Sequence, residues 1–198
     1  MPEKIMVVPA SNISSAFGED SSRVIPISFT DFDSFITERS EFLPRPLMEN
    51  DPSYKQIISY CLIECGEYVF IAKRTKKQTE SRLHNQYSVG IGGHISLIDS
   101  TGDSILMQGM QRELSEEVSI ESAYECDFYG IINDNSTEVN SVHVGACFII
   151  KLDEQKCVIR ETDKHEGLWI KKKDIFEYYD ALEGWSKIFV DTYIGEAK

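Results

Sequence analysis

The sequence predicts an α+β fold in which a mixed β-sheet packs between helices. Runs rich in β-branched and aromatic residues alternate with segments of helical hydrophobic spacing, which is typical of this class. Apolar residues make up 41% of the 198 residues and charged residues 27%, and this balance supports a buried core and argues against disorder.

The N-terminal part of the chain, residues 1–54, is expected to form an extension packed on the core. Residues 4–9 (KIMVVP) predict a short strand, and the polar residues 11–22 predict a loop. A helix follows, beginning at a cap formed by Thr30 or Asp31. Its apolar face consists of Phe32, Phe35 and Ile36.

The predicted core comprises residues 55–198. Three prolines in LPRPLMENDPSY (43–54) argue against regular structure before it, because proline lacks a backbone donor. The core opens with two β-rich runs around Gly66, most simply a hairpin. The remaining elements, in order, are a polar connection at 76–86, a glycine-interrupted strand at 87–97, a helix at 104–120, strands near 126–134, 141–152 and 167–172, and two terminal helices.

The charge balance limits the partners that this chain can have. It has 33 acidic against 20 basic side chains, a net charge of −13, which repels phosphate backbones and argues against bulk nucleic-acid binding. A small phosphorylated ligand remains compatible, because a bound divalent cation reverses the local charge. No apolar run is long enough for a membrane span, so no membrane partner is expected. Five cysteines without a CxxC pair predict reduced thiols and a cytoplasmic location.

The chemically informative stretch is the predicted helix at 104–120. Glu113, Glu116 and Glu117 follow the spacing i, i+3, i+4 and therefore share one helical face. Like charges at this spacing repel one another, so the arrangement gains stability only when a cation binds. Mg²⁺ prefers such oxygen ligands and often bridges carboxylates to substrate phosphates. Arg112 stands beside them and can hold one carboxylate through paired hydrogen bonds.

The stretch from Gly92 to Ile120 resembles the Nudix box, the signature of the Nudix hydrolases. The family pattern is Gly, five residues, Glu, seven residues, then Arg-Glu-apolar-x-Glu-Glu-x-Gly-apolar. The second half matches as RELSEEVSI (Arg112, Glu113, Leu114, Ser115, Glu116, Glu117 and onward), except that Ser119 replaces the final Gly. Gly93 and Arg112 are nineteen positions apart, where the pattern has fourteen, so we expect a five-residue insertion around SLIDSTGD. The first Glu of the pattern has no clear counterpart.

The resemblance implies an α/β/α sandwich and a role for each matching residue. Glu116 and Glu117 match metal ligands, and Gly92 or Gly93 would offer a carbonyl ligand. Glu113 matches a position that either binds the metal or handles the nucleophilic water. The implied catalytic residues are Glu113, Arg112 and Glu116. Arg112 matches the arginine that orients a glutamate. The implied cofactor is Mg²⁺ or Mn²⁺, which clamps the diphosphate and activates bound water.

Residues outside the second half of the box are weaker candidates. Arg74 and Arg82 border a basic loop that could receive substrate phosphates. His94 follows the glycine pair and either contacts the substrate or caps the strand. Asp103, the carboxylate nearest the helix start, and Glu138 are candidates for an extra carboxylate. Asp103 has the alternative role of helix N-cap.

The sequence thus predicts Mg-dependent hydrolysis of a diphosphate bond in a small phosphorylated metabolite, a nucleoside diphosphate linked to another moiety. The alternative is a Nudix-like module that binds a nucleotide or diphosphate without turnover, and the altered first half of the box keeps it open. Isomerisation of a prenyl diphosphate is not favoured, because no matching catalytic cysteine motif is present. The oligomeric state is open, with a homodimer among the options.

Overall fold

The computed structural model describes residues 2–18, 22–74, 86–100, 102–160 and 165–195, without the side chains of Arg74 and His165. It confirms the α+β class. The chain folds into two compact units, each made of three segments. One comprises Met1–Tyr60, Gly92–Glu113 and Phe128–Cys147, and the other comprises Cys61–Ile91, Leu114–Asp127 and Phe148–Lys198.

The first unit is built on antiparallel strands from the N-terminus. β1 (Lys4–Pro9) pairs with β2 (Glu41–Pro44) on one side and with the start of β3 (Tyr54–Cys65) on the other. The alternating side chains of β1 bury Ile5 and Val7 against Met48. The strand predicted at residues 4–9 is therefore confirmed. The predicted boundary after residue 54 stays a prediction.

Helices of the first unit correct two predictions. Residues 10–17 form a helix, α1 (Ala10–Phe17), where a loop was expected, because Ile13 is buried and Phe17 contacts the rings of Phe32 and Phe35. The proline-rich segment is also ordered, as β2 and the short helix α3 (Arg45–Met48). Proline is tolerated there because an edge strand and a first helical turn do not need its missing N–H.

The helix α2 (Phe29–Arg39) confirms the predicted helix but not its predicted cap. Ser28 precedes it, and the Ser28 side chain accepts a hydrogen bond from the backbone N–H of Asp31. Phe32 and Ile36 are buried, as the predicted apolar face requires, and Phe35 is partly buried. The first unit also contains most of α4 (Ile105–Glu117), the end of β8 (Tyr124–Ile132), the short helix α5 (Glu138–Ser141) and the start of β9 (His143–Leu152).

The second unit confirms the hairpin around Gly66. The end of β3 pairs with β4 (Tyr68–Arg74), and β4 pairs along its whole length with β11 (His165–Lys171). Two short strands, β5 (Tyr87–Ser88) and β6 (Gly90–Ile91), continue the sheet, and β7 (Val118–Ile120) pairs with β10 (Cys157–Ile159). Residues 76–85 of the polar connection predicted at 76–86 lie outside the described residues.

The C-terminal segments are helical, although only part of them is α-helix. Lys172–Ala181 forms 3₁₀ turns, α6 spans Gly184–Phe189, and Val190–Ile194 forms a π-helical turn. All five cysteines are free thiols, three of them buried. Among the described helices, none has the length and apolar composition to cross a membrane.

Candidate active site

Helix α4 carries the central side chains of the site, and its sequence explains its position. Leu106, Met110 and Leu114 recur every four residues and are buried, so the opposite face carries the polar groups. Ser104 caps the helix, because its hydroxyl accepts the backbone N–H of Met107 at 3.2 Å. The same hydroxyl donates to Asp33 Oδ1 of α2 at 2.7 Å.

Arg112 is the centre of a hydrogen-bonded cluster on this helix. Its Nε and Nη2 donate to the two carboxylate oxygens of Asp99 at 2.7 and 3.0 Å. Nη1 donates to Glu113 Oε1 at 2.7 Å, and Nη2 also donates to the carbonyl oxygen of His94 at 2.8 Å. The pKa of Arg112 is raised, chiefly by the hydrogen bond to Asp99, so the guanidinium stays charged. It is therefore a fixed cation that holds Glu113 in one orientation.

Asp99 is the carboxylate that the sequence interpretation missed. It closes a 3₁₀ turn, Leu97–Asp99, and its Oδ2 accepts the backbone N–H of Ser96 at 2.7 Å. Asp99 as a whole residue is only 4% exposed. The turn lies against α4 at Gly109, where a methyl group would come within 2.6 Å of Ile95 and 2.8 Å of Asp99 Oδ2.

Asp99 restores the first half of the box. Five residues separate Gly93 from Asp99, which is the family spacing with Asp in place of Glu. The five extra residues therefore lie between Asp99 and Arg112. The expected carboxylate in the inserted loop exists, but it is Asp99 and not Asp103, which is exposed. The N-cap alternative for Asp103 is also wrong, because Ser104 has that role. Counting forward from Gly93, instead of back from Arg112, would have identified Asp99.

The glycine pair provides the space that the cluster needs. A methyl group at Gly93 would overlap the carboxylate of Glu113, so glycine allows that carboxylate to lie against the backbone. The Gly93 carbonyl oxygen accepts the backbone N–H of Ser59 at 2.9 Å and the Ser59 hydroxyl at 3.3 Å. The oxygen proposed as a metal ligand is thus engaged within the protein in this structure.

The contacts of His94 favour the second of its two predicted roles, that of a residue that caps the strand. Its Nε2 lies 2.8 Å from Gln56 Oε1, and its backbone bridges to Ile58 of β3. Its ring contacts that of His143 at 5.5 Å between centroids. Burial lowers the pKa of His94 to about 3, with smaller contributions from Arg45, His143 and Arg112, so the ring is neutral. A direct contact of His94 with the substrate stays a prediction.

The three glutamates lie on α4 as predicted, but their carboxylates are not gathered around one point. Glu113 faces Arg112 and Gly93, whereas Glu116 is exposed and Glu117 partly exposed near the end of the helix. The carbonyl oxygen of Glu117 accepts the backbone N–H of Arg160 at 2.9 Å. Within the described part of the chain, no group of three or more His, Cys, Asp or Glu side chains is arranged to hold a metal ion.

The remaining candidates are placed as follows. Glu138 is exposed at the start of α5, which Thr137 caps by accepting the backbone N–H of Asn140. Arg74 ends β4, and its side chain lies outside the described residues, as does the whole of Arg82. The basic substrate-binding loop therefore stays a prediction, because it lies outside the described residues.

Comparisons with known proteins identify the fold and the family. No family model matches the chain. The MutT protein from Methanosarcina mazei Go1 is 18% identical, with a TM-score of 0.51 over 73% of this chain and 96% of MutT. The NUDIX domain of Shewanella oneidensis NrtR, solved with ADP ribose, is 15% identical, with a TM-score of 0.51 over 72% of this chain and 86% of that domain. At these identities the likeness shows the fold alone.

Two relatives are much more similar in sequence. Protein YmaB from Bacillus subtilis (strain 168) is 35% identical over 150 residues, which are 72% of this chain and 73% of YmaB. Tm1382, a protein of known crystal structure assigned to the Nudix hydrolases, is 35% identical, with a TM-score of 0.81 over 94% of this chain and 95% of Tm1382. The box residues and this near full-length match show that the chain belongs to the Nudix hydrolase family.

Proposed function

We propose that this Nudix hydrolase cleaves a diphosphate bond in a small phosphorylated metabolite, a nucleoside diphosphate linked to another moiety. The observation that carries the proposal is the cluster of Arg112 with Asp99 and Glu113. A guanidinium with carboxylates at 2.7 Å on two sides fixes the rotamer of Glu113 before any ligand arrives. Such preorganisation is what a catalytic carboxylate needs.

The donor set fits a hard divalent cation. Glu116 and Glu117 supply carboxylate oxygens on the exposed part of α4, and Glu113 lies one turn before them. We propose that these residues hold Mg²⁺ or Mn²⁺. A bound cation of this kind neutralises the diphosphate, stabilises charge that develops during attack and lowers the pKa of its water. The engagement of the Gly93 carbonyl with Ser59 makes that oxygen the weakest member of the set.

The side chains of the chain itself perform the remaining tasks. Arg112 orients Glu113 through Oε1, and the Glu113 carboxylate is proposed to accept a proton from the attacking water. Asp99 fixes the Arg112 guanidinium through Nε and Nη2. His94 stays neutral and therefore adds no charge of its own to this region. The basic loop that contains Arg74 and Arg82 is proposed to bind substrate phosphates.

The first experiment is a hydrolysis screen with Mg²⁺, with Mn²⁺ and with EDTA. The substrates are nucleoside triphosphates, nucleotide sugars, dinucleoside polyphosphates, NADH and ADP-ribose, the last because it was seen in the NrtR domain. We expect metal-dependent turnover of at least one of them. Tight binding of a substrate without turnover would instead favour the non-catalytic binding module.

The matching variant is Glu116→Gln with Glu117→Gln. We expect turnover to fall at least about 100-fold, because the neutral amides lose the charge that binds the cation, with 10-fold or more for each carboxylate. The thermal midpoint should stay unchanged or rise, because repulsion between like charges at neighbouring positions is relieved. Glu38→Gln, an exposed glutamate of α2, is the control and should leave turnover intact. Unchanged metal affinity in the double variant, measured by calorimetry, would exclude this metal site.

A further inference from the structure

An open cavity of about 450 Å³ in the second unit has no role in the proposed reaction. Its wall consists of the hairpin turn Gly66–Glu67, three consecutive lysines (Lys171, Lys172 and Lys173), Tyr193 and Ile194. This volume is within the range of pockets that bind small molecules. Three of the seven described residues that form this wall are cationic, although the chain has a net charge of −13.

The wall of the cavity is fixed by contacts inside the second unit. Lys171 ends β11 opposite Tyr68, and the backbone N–H of Lys172 donates to the carbonyl oxygen of Glu67 at 2.8 Å. The Lys172 ammonium lies 2.8 Å from the buried carboxylate of Glu64. The hydroxyl of Tyr193 donates to the same carboxylate at 3.1 Å. The cavity is therefore preformed, and the charge of Glu64 is offset.

Lys171 and Lys173 differ from two other lysines on the surface of this unit. Lys151 pairs with Asp127 at 2.6 Å, and Lys156 pairs with Glu154 at 2.9 Å. Within the described residues, Lys171 and Lys173 have no such carboxylate partner. Their ammonium groups thus keep their binding capacity for an anion that enters the cavity.

The chemistry of the wall selects the class of ligand. Lysine ammonium groups bind phosphate oxygens as compact point charges. The ring of Tyr193 and the side chain of Ile194 supply an apolar surface on the same wall. Glu67 is the one acidic residue among the described residues that form this wall. Lys172 pairs with Glu64 behind it, so Lys171 and Lys173 are the cations of the wall that are available to a ligand. We propose that this cavity is a second, non-catalytic site that binds a small phosphorylated molecule.

The test is calorimetry in EDTA, which removes the divalent metal from the proposed catalytic site. The probes are inorganic pyrophosphate and AMP, which share the phosphate group but differ in the apolar part. We expect saturable binding of at least one probe, weaker at high salt because the contacts are ionic. Lys171→Ala with Lys173→Ala should weaken it roughly tenfold or more, the size expected for losing charged hydrogen bonds. Tighter binding of AMP than of pyrophosphate would support a contribution from Tyr193.

Two matched variants separate binding in this cavity from binding elsewhere on the protein. Lys4→Ala with Lys156→Ala changes the net charge equally at exposed positions and should bind the probe like the wild type. Glu116→Gln with Glu117→Gln should also retain the affinity, which distinguishes this cavity from the proposed catalytic site. The proposal is overturned by the absence of saturable binding at roughly millimolar concentrations. It is equally overturned if the lysine variant binds normally, or if the control variant loses as much affinity.

Discussion

The charged side chains in the middle and at the end of α4, the helix of the Nudix box, differ in their exposure to solvent. In the middle of the helix, the Arg112 side chain is 19% exposed and that of its partner Asp99 is 3% exposed. At the end of the helix, Glu116 is exposed to solvent. A charge removed from water needs fixed partners, whereas an exposed carboxylate can exchange water for a cation. This contrast agrees with the proposed function, in which the middle of α4 positions Glu113 and its end binds the cation.

The largest expected effect is that of removing the buried partner of Arg112. Asp99→Ala leaves the guanidinium without its two-pronged acceptor and the Ser96 N–H without its oxygen. We expect a loss of about 3 kcal/mol in the free energy of unfolding, since a buried ion pair is broken and two buried donors, Arg112 Nε and the Ser96 N–H, lose their acceptor. Turnover should fall as well, because Glu113 loses the fixed neighbour that orients it. Denaturant unfolding and steady-state kinetics measure the two effects.

Asp103→Ala is the control for this variant. Asp103 is an exposed carboxylate four residues further along the same loop. We expect a change in unfolding free energy within roughly 0.5 kcal/mol, as for other surface substitutions. Equal losses in the two variants would show that the loop, and not the contact of Asp99 with Arg112, matters.

Arg112→Lys tests the positioning role with a smaller effect on stability. Lysine keeps the charge but cannot donate to Asp99, Glu113 and His94 in the same plane. We expect a roughly 10- to 100-fold loss of turnover, the range found for partners that orient a metal site. The loss should be in kcat, with KM little changed. Arg39→Lys, at an exposed position of α2, should have no effect, and a KM effect alone in Arg112→Lys would assign this arginine to substrate binding instead.

The contrast along α4 also explains what the sequence could and could not predict. The row Leu106, Met110 and Leu114 and the sequence RELSEEV are local patterns, so they predict the helix and the family. The helix ends at Glu117, however, and the last predicted residues, Val118–Ile120, form β7. Asp99 reaches Arg112 across an insertion of five residues. Its contact with Arg112 depends on a turn that lies against Gly109, and spacing counted back from Arg112 does not predict it.

The N-terminal segments show the same limit. Ile13 and Phe17 look like isolated apolar residues in a polar stretch, but in the folded protein Ile13 is buried and Phe17 contacts the rings of Phe32 and Phe35 of α2. The prolines near residue 44 argue against regular structure only where a backbone donor is needed. At an edge strand and in a first helical turn, that requirement is absent.

Two neighbouring histidines, His94 and His143, predict that the free energy of unfolding depends on pH. Burial lowers the pKa of His94 from 6.5 to about 3 and lowers that of His143 in the same direction. Below pH 6.5 the unfolded chain therefore binds protons that the folded chain does not, so the free energy of unfolding decreases as the pH falls toward 3. The slope is at most about 1.4 kcal/mol per pH unit for each histidine.

The variant His94→Gln separates this effect from the titration of carboxylates. Denaturant unfolding between roughly pH 6.5 and pH 4.5 should show a smaller slope than in the wild type, because one of the two histidines is gone. The second test variant, His143→Gln, should reduce the slope similarly, because the pKa of His143 is lowered in the same direction. An unchanged slope in both variants would contradict the lowered pKa values, and it would show that water reaches the two histidine rings.

The smallest expected effect tests whether the N-terminal helix α2 supports the start of α4. Asp33→Ala removes the acceptor of the Ser104 hydroxyl, although that hydroxyl can still cap α4 by accepting the backbone N–H of Met107. We expect a loss of about 1 kcal/mol in unfolding free energy, the value of one hydrogen bond, and less than a tenfold loss of turnover. Asp33→Asn keeps an acceptor oxygen and should restore most of both, whereas Glu38→Ala, also on α2, should change neither. Because Asp99 holds Arg112 through two hydrogen bonds, a turnover loss in Asp33→Ala as large as that of Arg112→Lys would contradict the division of α4 into a positioning middle and a binding end.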